Sequence, residues 1–442
     1  MSTEQVEVLG KYQPYPEYKD SGVEWLGEVP QHWQTGRLGS FGYFISGCGF
    51  PHEYQGSQDG LYPFYKVSDT NNDGNEKYLS KAENYVSKEV ASKLGARICS
   101  AGGIMFPKVG AALLGNKRRI LTLPSITDNN TMVYFSYEGN SSYWYYWLSQ
   151  LDFGQLSNPG PVPSINESQL KDFVAICPTQ YEQRTIAAFL DYETARIDKL
   201  IAQHQRLIEL LKEKRQAVIS RAVTKGLNPD APMKDSGVEW LGEVPEHWLV
   251  SSLKFIYKNL DYKRIPLSAE ERGSKQGDYP YYGASGIIDS IDDYLFSTDH
   301  VLVGEDGANL VMRSTPIAFV ATGQYWVNNH AHILRMNDGL NSYWAAVIEN
   351  LDISPFVTGS AQPKLTAEAL GNLIVAYPKT LQERIEIQEF INREKPKFTT
   401  LIDRAEHQVH FLKERRTALI SAAVTGKIDL RGWTASIQEA AA

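Results

Sequence analysis

Two stretches of this chain place apolar residues at alternating spacings of three and four. Ile201, His204, Ile208, Leu211, Arg215, Val218 and Ala222 share one face of a run from Glu182 to Lys225 that holds no proline or glycine. Ile402, Ala405, Val409, Leu412, Arg416, Leu419 and Ala423 repeat the pattern at an offset of 201, within a run from Gln382 to Val424. This is the a/d spacing of a coiled-coil seam, and it predicts two long helices. At ~1.5 Å per residue the first would measure roughly 65 Å. Both seams carry one arginine at the same register, so the helices are expected to pair with each other. A small module cannot cover so long an apolar stripe by itself. The residues expected to pair are Ile201, Ile208, Leu211 and Val218 with Ile402, Val409, Leu412 and Leu419. Gly226 with Asn228 and Pro229 ends the first helix and Gly426 the second. Pro396 lies inside the second and predicts a kink or break.

Before each helix the pattern changes to short β-branched and aromatic runs between Gly, Pro and Asn. Arg97–Cys99, Ile104–Phe106 and Met132–Phe135 read as strands. Ser142–Leu151 reads as an aromatic helix, and Asn166 with Gln169 as a capping box opening a short one. These are α+β modules, and there are two of them. KDSGVEWLGEVPQHW at Lys19–Trp33 returns as KDSGVEWLGEVPEHW at Lys234–Trp248, an offset of 215. Ser142-Tyr143-Trp144, Leu151-Asp152, Pro178 and Arg184 return at an offset of 200. Changing offsets mean insertions in loops, so two modules share a scaffold and differ in loop content. The tryptophans of the repeated segment are expected to pack against helix ends, with the first copy near the C-terminus. The chain divides as a tail and first junction (1–33), a first module (34–177), the first long helix (178–232) and a second junction (233–248). A second module (249–377), the second helix (378–428) and a tail from 429 to 442, frayed from Trp433, complete it.

Composition adds constraints. Net charge is −8, which argues against a protein that coats nucleic acid indiscriminately but permits a local basic patch. No apolar run approaches the ~20 residues of a membrane span, and the N-terminus has no secretory pattern. Three scattered cysteines, Cys48, Cys99 and Cys177, suit a reducing cytoplasm. Catalytic patterns fail one by one. Gly110–Lys117 (GAALLGNK) puts Asn116 where a phosphate-binding loop needs lysine, and reads instead as a basic hairpin turn. Asn158-Pro159-Gly160-Pro161 resembles an amino-methyltransferase motif but has glycine for its second proline, and reads as a loop. His330 with His332, and His407 with His410, lack a third ligand at recognisable spacing, so no metal site is expected. The chain reads as non-catalytic and without a cofactor of its own.

What remains is a set of side chains suited to DNA. Lys66, Lys108, Lys117, Arg118 and Arg119 cluster around turns of the first module. Tyr281, Tyr282, Arg313, Asn328, Asn329, Gln362 and Lys364 take comparable places in the second. Arg, Asn and Gln can read base edges, and Lys mainly meets phosphate.

With the doubled junction, the helix entries at Pro178–Arg184 and Pro378–Arg384, and GSAQPKLT at Gly359–Thr366, the chain resembles the specificity subunit of type I restriction–modification enzymes. LKEKRQAVISRAVTKG at Leu211–Gly226 and LKERRTALISAAVTGK at Leu412–Lys427 carry the same resemblance. It implies two target recognition domains separated by an antiparallel helix pair. Each domain would read half of a split site on double-stranded DNA, with the helices as spacer and docking surface. The implied partners are two methyltransferase subunits acting on adenine N6 and translocase–endonuclease subunits. These would bring S-adenosylmethionine, ATP and magnesium, in a bacterial or archaeal cytoplasm. A coiled-coil scaffold that binds no DNA is the alternative.

Overall fold

In the computed structural model, residues 12–435 are described apart from Pro159 and Ser360. Parts of the N-terminal tail, the last seven residues and one position in each of the Asn158–Pro161 and Gly359–Thr366 loops therefore lie outside the described residues. Among the described residues no helix is long and apolar enough to cross a membrane. The chain forms two compact units that do not follow its linear order. One contains residues 1–203 and 408–442, the other 204–407. Each unit thus takes one α+β module, one junction, and one half of each long helix.

In the first unit a five-stranded sheet runs in the order Gly42–Ser46, Thr131–Ser136, Ile104–Pro107, Arg119–Leu121, Tyr78–Leu79. A three-stranded sheet joins Ile126–Thr127, Tyr62–Tyr65 and Tyr85–Val86, and Gln34–Arg37 pairs with Val174–Cys177. Two short helices flank the loops that carry candidate residues, α1 (Ala111–Leu114) and α2 (Ser141–Leu148). The second unit repeats the plan with one strand fewer. Tyr257–Asn259, Ala331–Met336, His300–Gly304 and Ala318–Ala321 form its main sheet. Gly286–Ile291, Gln276–Gly283 and Trp326–Val327 form the second, and Trp248–Ser252 pairs with Ile374–Pro378. Its counterparts of α1 and α2 are α3 (Asn309–Met312) and α4 (Asn341–Glu349).

The capping box at Asn166–Gln169 forms, opening the helix Glu167–Asp172. Two local expectations need correction. Arg97–Cys99 is not a strand: Arg97 and Ile98 face solvent, and only Cys99 makes a bridge, to Ser125. The aromatic helix stops at Leu148 rather than Leu151, and an arginine described below takes up the Leu151 carbonyl.

The long helices span Gln180–Lys225 and Leu381–Val424 and run antiparallel. In the first unit Arg416 of the second helix reaches Asp198 of the first at 3.0 Å. In the second unit Lys212 faces Glu406 at 3.7 Å. Seam positions are buried or half-buried in both units, while Gln205, Arg206, Glu209 and Glu213 between them are exposed. The expected break at Pro396 does not occur. Pro396 and Asn392 are both exposed, so water can take the carbonyl that loses its amide partner, and the helix continues. Trp433 is not frayed either: its ring meets Phe189 at 5.5 Å and Tyr192 at 5.9 Å.

Each junction is a hairpin locked onto helix ends. Tyr18–Asp20 pairs with Glu28–Pro30, and Met233–Asp235 with Glu243–Pro245. Trp33 is fully buried and donates its indole N–H to Glu182 at 3.1 Å. His32 (2.9 Å) and Tyr15 (3.2 Å) meet the same carboxylate oxygen. The other oxygen closes a capping box with Thr179. From the opposite helix, the Gly426 carbonyl accepts from Tyr18 at 3.1 Å, and Lys427 donates to the Leu26 and Glu28 carbonyls. A Cβ on Gly426 would stand 2.4 Å from Pro30, so glycine is required by close approach as well as by its positive φ. The second unit exchanges the helices: Trp248 (3.0 Å) and His247 (2.8 Å) bind Glu383, and Lys225 donates to the Glu243 carbonyl.

Burial alone would raise the Glu182 carboxyl, but bonds from Thr179, His32 and Trp33 outweigh it and hold it below its ordinary value of 4.5. A carboxyl lowered on folding contributes stability that is complete above its unfolded value and is lost as pH falls through the folded one. Urea unfolding followed from pH 6 to pH 3 should therefore show a loss of stability below about pH 4.5 that Glu182→Gln reduces. An unchanged slope in that variant would contradict the assignment.

Candidate nucleic-acid interface

In the first module, backbone bonds gather three segments that carry most of the candidate residues. The Asp128 N–H reaches the Tyr65 carbonyl, the Lys108 N–H reaches that of Asn130, and the Gly110 N–H reaches that of Pro163. Lys66, Lys108, Lys117 and Arg119 thereby share one rim. Each side chain is oriented by a neutral oxygen: Lys66 by Gln55 (3.2 Å), Lys108 by Ser46 (3.1 Å), Lys117 by Asn71, and Arg119 by the Thr70 carbonyl (2.8 Å). Among the described residues none of the four makes an ion pair, although Asp69 and Asp128 lie near Lys66, and Glu76 lies near Arg119. Burial lowers the Arg119 guanidinium somewhat, with Tyr145 and Glu76 opposing.

Arg118 is a different case. It is 4% exposed and lies over the Phe153 ring at 4.0 Å. It donates to the Asn116 carbonyl and to that of Leu151 just beyond α2. Burial pushes its pKa down to about 10. Its expected role as a DNA contact is corrected, because the guanidinium is consumed in holding the turn. The turn is also not a hairpin: α1 leads through Asn116, at φ 50, into the strand Arg119–Leu121.

The second module solves the same problem from another position. Arg313 itself sits at φ 50. It donates to the Glu349 (3.1 Å) and Leu351 (2.7 Å) carbonyls at the end of α4. Orphan carbonyls at a helix C-terminus attract a cation, and an arginine two residues further along serves α2. Arg313 is thus mainly a clamp. Tyr281 is fully buried and donates no surface, with its hydroxyl bonded by the Leu267 N–H at 3.0 Å. Asn328 is buried and accepts from the His330 N–H at 2.8 Å. Both were expected to meet DNA; the Tyr281 hydroxyl and the Asn328 side-chain oxygen are already used inside the module. Tyr282 is half-buried and stacks on Phe319. Asn329, Gln362 and Lys364 are exposed. Bonds from Gly307 to Pro363 and from Leu365 to Glu305 bring the last two beside the 304–307 segment.

This second rim is charge-compensated. Glu305 holds Lys364 at 3.1 Å and Arg264 at 2.5 Å, and Asp306 holds His330 at 2.9 Å. His332, 1% exposed, is set between the Leu365 carbonyl (2.8 Å) and Asp261 (2.6 Å). Burial works against ionising Asp261 and Glu305, yet His332 and Arg264 respectively outweigh it and hold both low. Asp261, Glu305 and His332 have ligand atoms within 4.8 Å of one another. A dication there would face Arg264 and Lys364 at short range, so the set fits an internal ion network better than a metal site.

Sequence reasoning missed Arg264, which also binds the Asn329 and Ala331 carbonyls. It missed the exposed apolar tips too: Leu114 (54%) at the end of α1, and Val311 (64%) and Met312 (72%) at the end of α3. Nothing in a three- to five-residue run separates an exposed leucine from a buried one. The Thr179-x-x-Glu182 and Thr380-x-x-Glu383 capping signals, by contrast, were present in the sequence.

Arg118→Ala should cost about 1–3 kcal/mol of stability, the range for leaving buried groups unpaired, measured by urea denaturation. Lys108→Ala should leave stability within about 0.5 kcal/mol, as a surface change does. Equal costs for the two would refute the distinction between clamp and rim.

The fold and its duplication match known proteins. The family described as the type I restriction modification DNA specificity domain matches residues 30–212 and again 245–397. A type I restriction enzyme specificity subunit of Haemophilus influenzae is 32% identical over 116 residues, 26% of this chain and 29% of that protein. The EcoprrI specificity subunit of Escherichia coli is 28% identical over 134 residues, 30% of each chain. The matched stretches span about three-tenths of these curated relatives. Among solved structures, a chain from the structural study of complex assembly and conformational transition of the type I R-M system superposes with a TM-score of 0.67. Its identity is 13%, with 90% of this chain and 98% of that chain covered. The HsdS subunit from Thermoanaerobacter tengcongensis gives a TM-score of 0.52 at 14% identity, covering 90% and 98%. At these identities the likeness is one of fold. With its family pattern matched once in each half and over more than half of its length, the chain belongs to the type I restriction–modification DNA specificity family.

Proposed function

We propose that this chain is the DNA-recognition subunit of a type I restriction–modification complex, with each module reading one half of a bipartite duplex target. The observation that carries this reading is a single scaffold built twice with different rims. The first presents Lys66, Lys108, Lys117 and Arg119 with no ion pair among the described residues; the second presents Asn329, Gln362 and Lys364 in a charge-compensated setting. Phosphate attraction then falls mainly to the first module, and polar readout mainly to the second. The helix pair is the spacer that fixes the unread gap, and its outer faces dock two adenine-N6 methyltransferase subunits. Methyl transfer, translocation and cleavage lie with partner subunits, which bring S-adenosylmethionine, ATP and magnesium. This chain's own residues bind and orient DNA and do no covalent chemistry.

Binding of the chain with its modification subunits to target and random duplexes across a salt series tests the reading. Each of Lys66→Ala, Lys108→Ala and Lys117→Ala should reduce the log–log salt slope by about one, and should not alter selectivity at the half-site read by the second module. No selective binding and no salt slope would identify a scaffold that does not bind DNA.

Inserting the same number of helical turns into both long helices, near Arg215 and Arg416, should lengthen the unread gap and keep both half-sites. The methylated motif of cells expressing the variant reads this directly. An unchanged gap would remove the helices from the role of spacer.

A further inference from the structure

Backbone bonds put the two modules in register around their rims. The N–H groups of Asp128 and Asn328 donate to the Tyr65 and Tyr282 carbonyls, and those of Lys108 and Glu305 to Asn130 and His330. Those of Gly110 and Gly307 donate to Pro163 and Pro363. At several corresponding places the chemistry changes. Lys66, which follows Tyr65, gives way to Gly283 after Tyr282, and Lys108 gives way to Glu305. Asn116 gives way to Arg313, both at φ 50.

The short helices α1 and α3 keep one feature through these changes. Leu113 and Leu310 are buried, and each donates its N–H to the glycine that opens the turn, Gly110 or Gly307. The next residue, Leu114 or Val311, is again apolar but largely exposed, and in the second module Met312 extends the exposed tip. Packing inside the module explains an apolar side chain at 113 and 310. It makes no such demand at 114 and 311. Leu114 is nevertheless held in place against the helix Phe153–Leu156, since a Cβ on Gly154 would stand 3.2 Å from its Cδ2. Both tips fall within the rim segments. Leu114 lies between Lys108 and Lys117 along the chain, and Val311 between Arg313 and Glu305, which holds Lys364.

Resting on the reading of this chain as a DNA-recognition subunit, we infer that the two tips are specificity-determining contacts. Leu114 in one module, and Val311 with Met312 in the other, each meet a thymine C5-methyl group in the major groove of their own half-site. The base edges of a duplex are polar apart from that methyl group. A leucine or valine pressed against a phosphate or a polar base edge would desolvate it with no hydrogen bond in return. Against a methyl group, apolar surface on both sides leaves water. The polar side chains Asn329 and Gln362 can exchange hydrogen bonds with base edges, while the tip distinguishes a pair that carries the methyl from one that does not.

The complex of this chain with its modification subunits, and a duplex carrying its target, test the inference. Each thymine of the target is replaced in turn by deoxyuridine, which removes only the methyl group. In each half-site one replacement should weaken binding about fourfold, the worth of burying roughly one methyl group. Leu114→Ala should abolish that sensitivity in the half-site read by the first module and leave it in the other. Val311→Ala combined with Met312→Ala should do the reverse. Selective binding with no deoxyuridine effect overturns this inference alone, as does an effect that both variants retain. Absence of selective binding by the wild-type complex overturns it together with the DNA-recognition reading.

Discussion

Much of this structure depends on one carboxylate at the start of each long helix, buried in the first unit and half-buried in the second. Glu182 sits three residues after Thr179, so it caps the helix with one oxygen and receives the junction's Trp33 and His32 on the other. A carboxylate is suited to this because it only accepts, and a helix N-terminus favours its charge. Glu383 receives Trp248 on one oxygen and His247 on the other. Removing either would leave indole and imidazole donors without a partner where chain segments distant in sequence meet. The doubled junction is thus a clasp, and its identity in both halves follows from having the same helix end to grip.

The modules show which demands bind a position and which bind only a place. The sheets keep corresponding registers, with Val133 opposite Met105 in one module and Ile333 opposite Leu302 in the other. The carbonyls ending the aromatic helix need a cation in both, but Arg118 and Arg313 reach them from different points of the turn. A buried acceptor requires a donor in space and is indifferent to where in the loop it originates. Rim residues are freer still: one module keeps its lysines beside neutral oxygens, and the other pairs its charges through Glu305 and Asp306. That difference suits two readers of different half-sites.

Electrostatics also accounts for an acidic chain with a DNA-facing reading. The net charge of −8 is an average over the whole chain. Attraction to a polyanion depends on the field at the rim, and distant charges are screened within ~10 Å or less at ordinary ionic strength.

The sequence by itself determined the duplication, the long helices, their seam and the capping box at Asn166. All of these are periodic or local, and period and capping are written in residue order. It also carried the family likeness. It could not separate Arg118, buried under a helix end, from Lys117 beside it, because alternate neighbours in a turn differ only by where the fold places them. Nor could it tell that Tyr281 and Asn328 face inward while Asn329 faces out, or that Pro396 would be tolerated on a solvent-exposed face. Burial and hydrogen-bond partners come from segments tens to hundreds of residues apart, so only the tertiary structure decided which polar side chains remain free for a ligand.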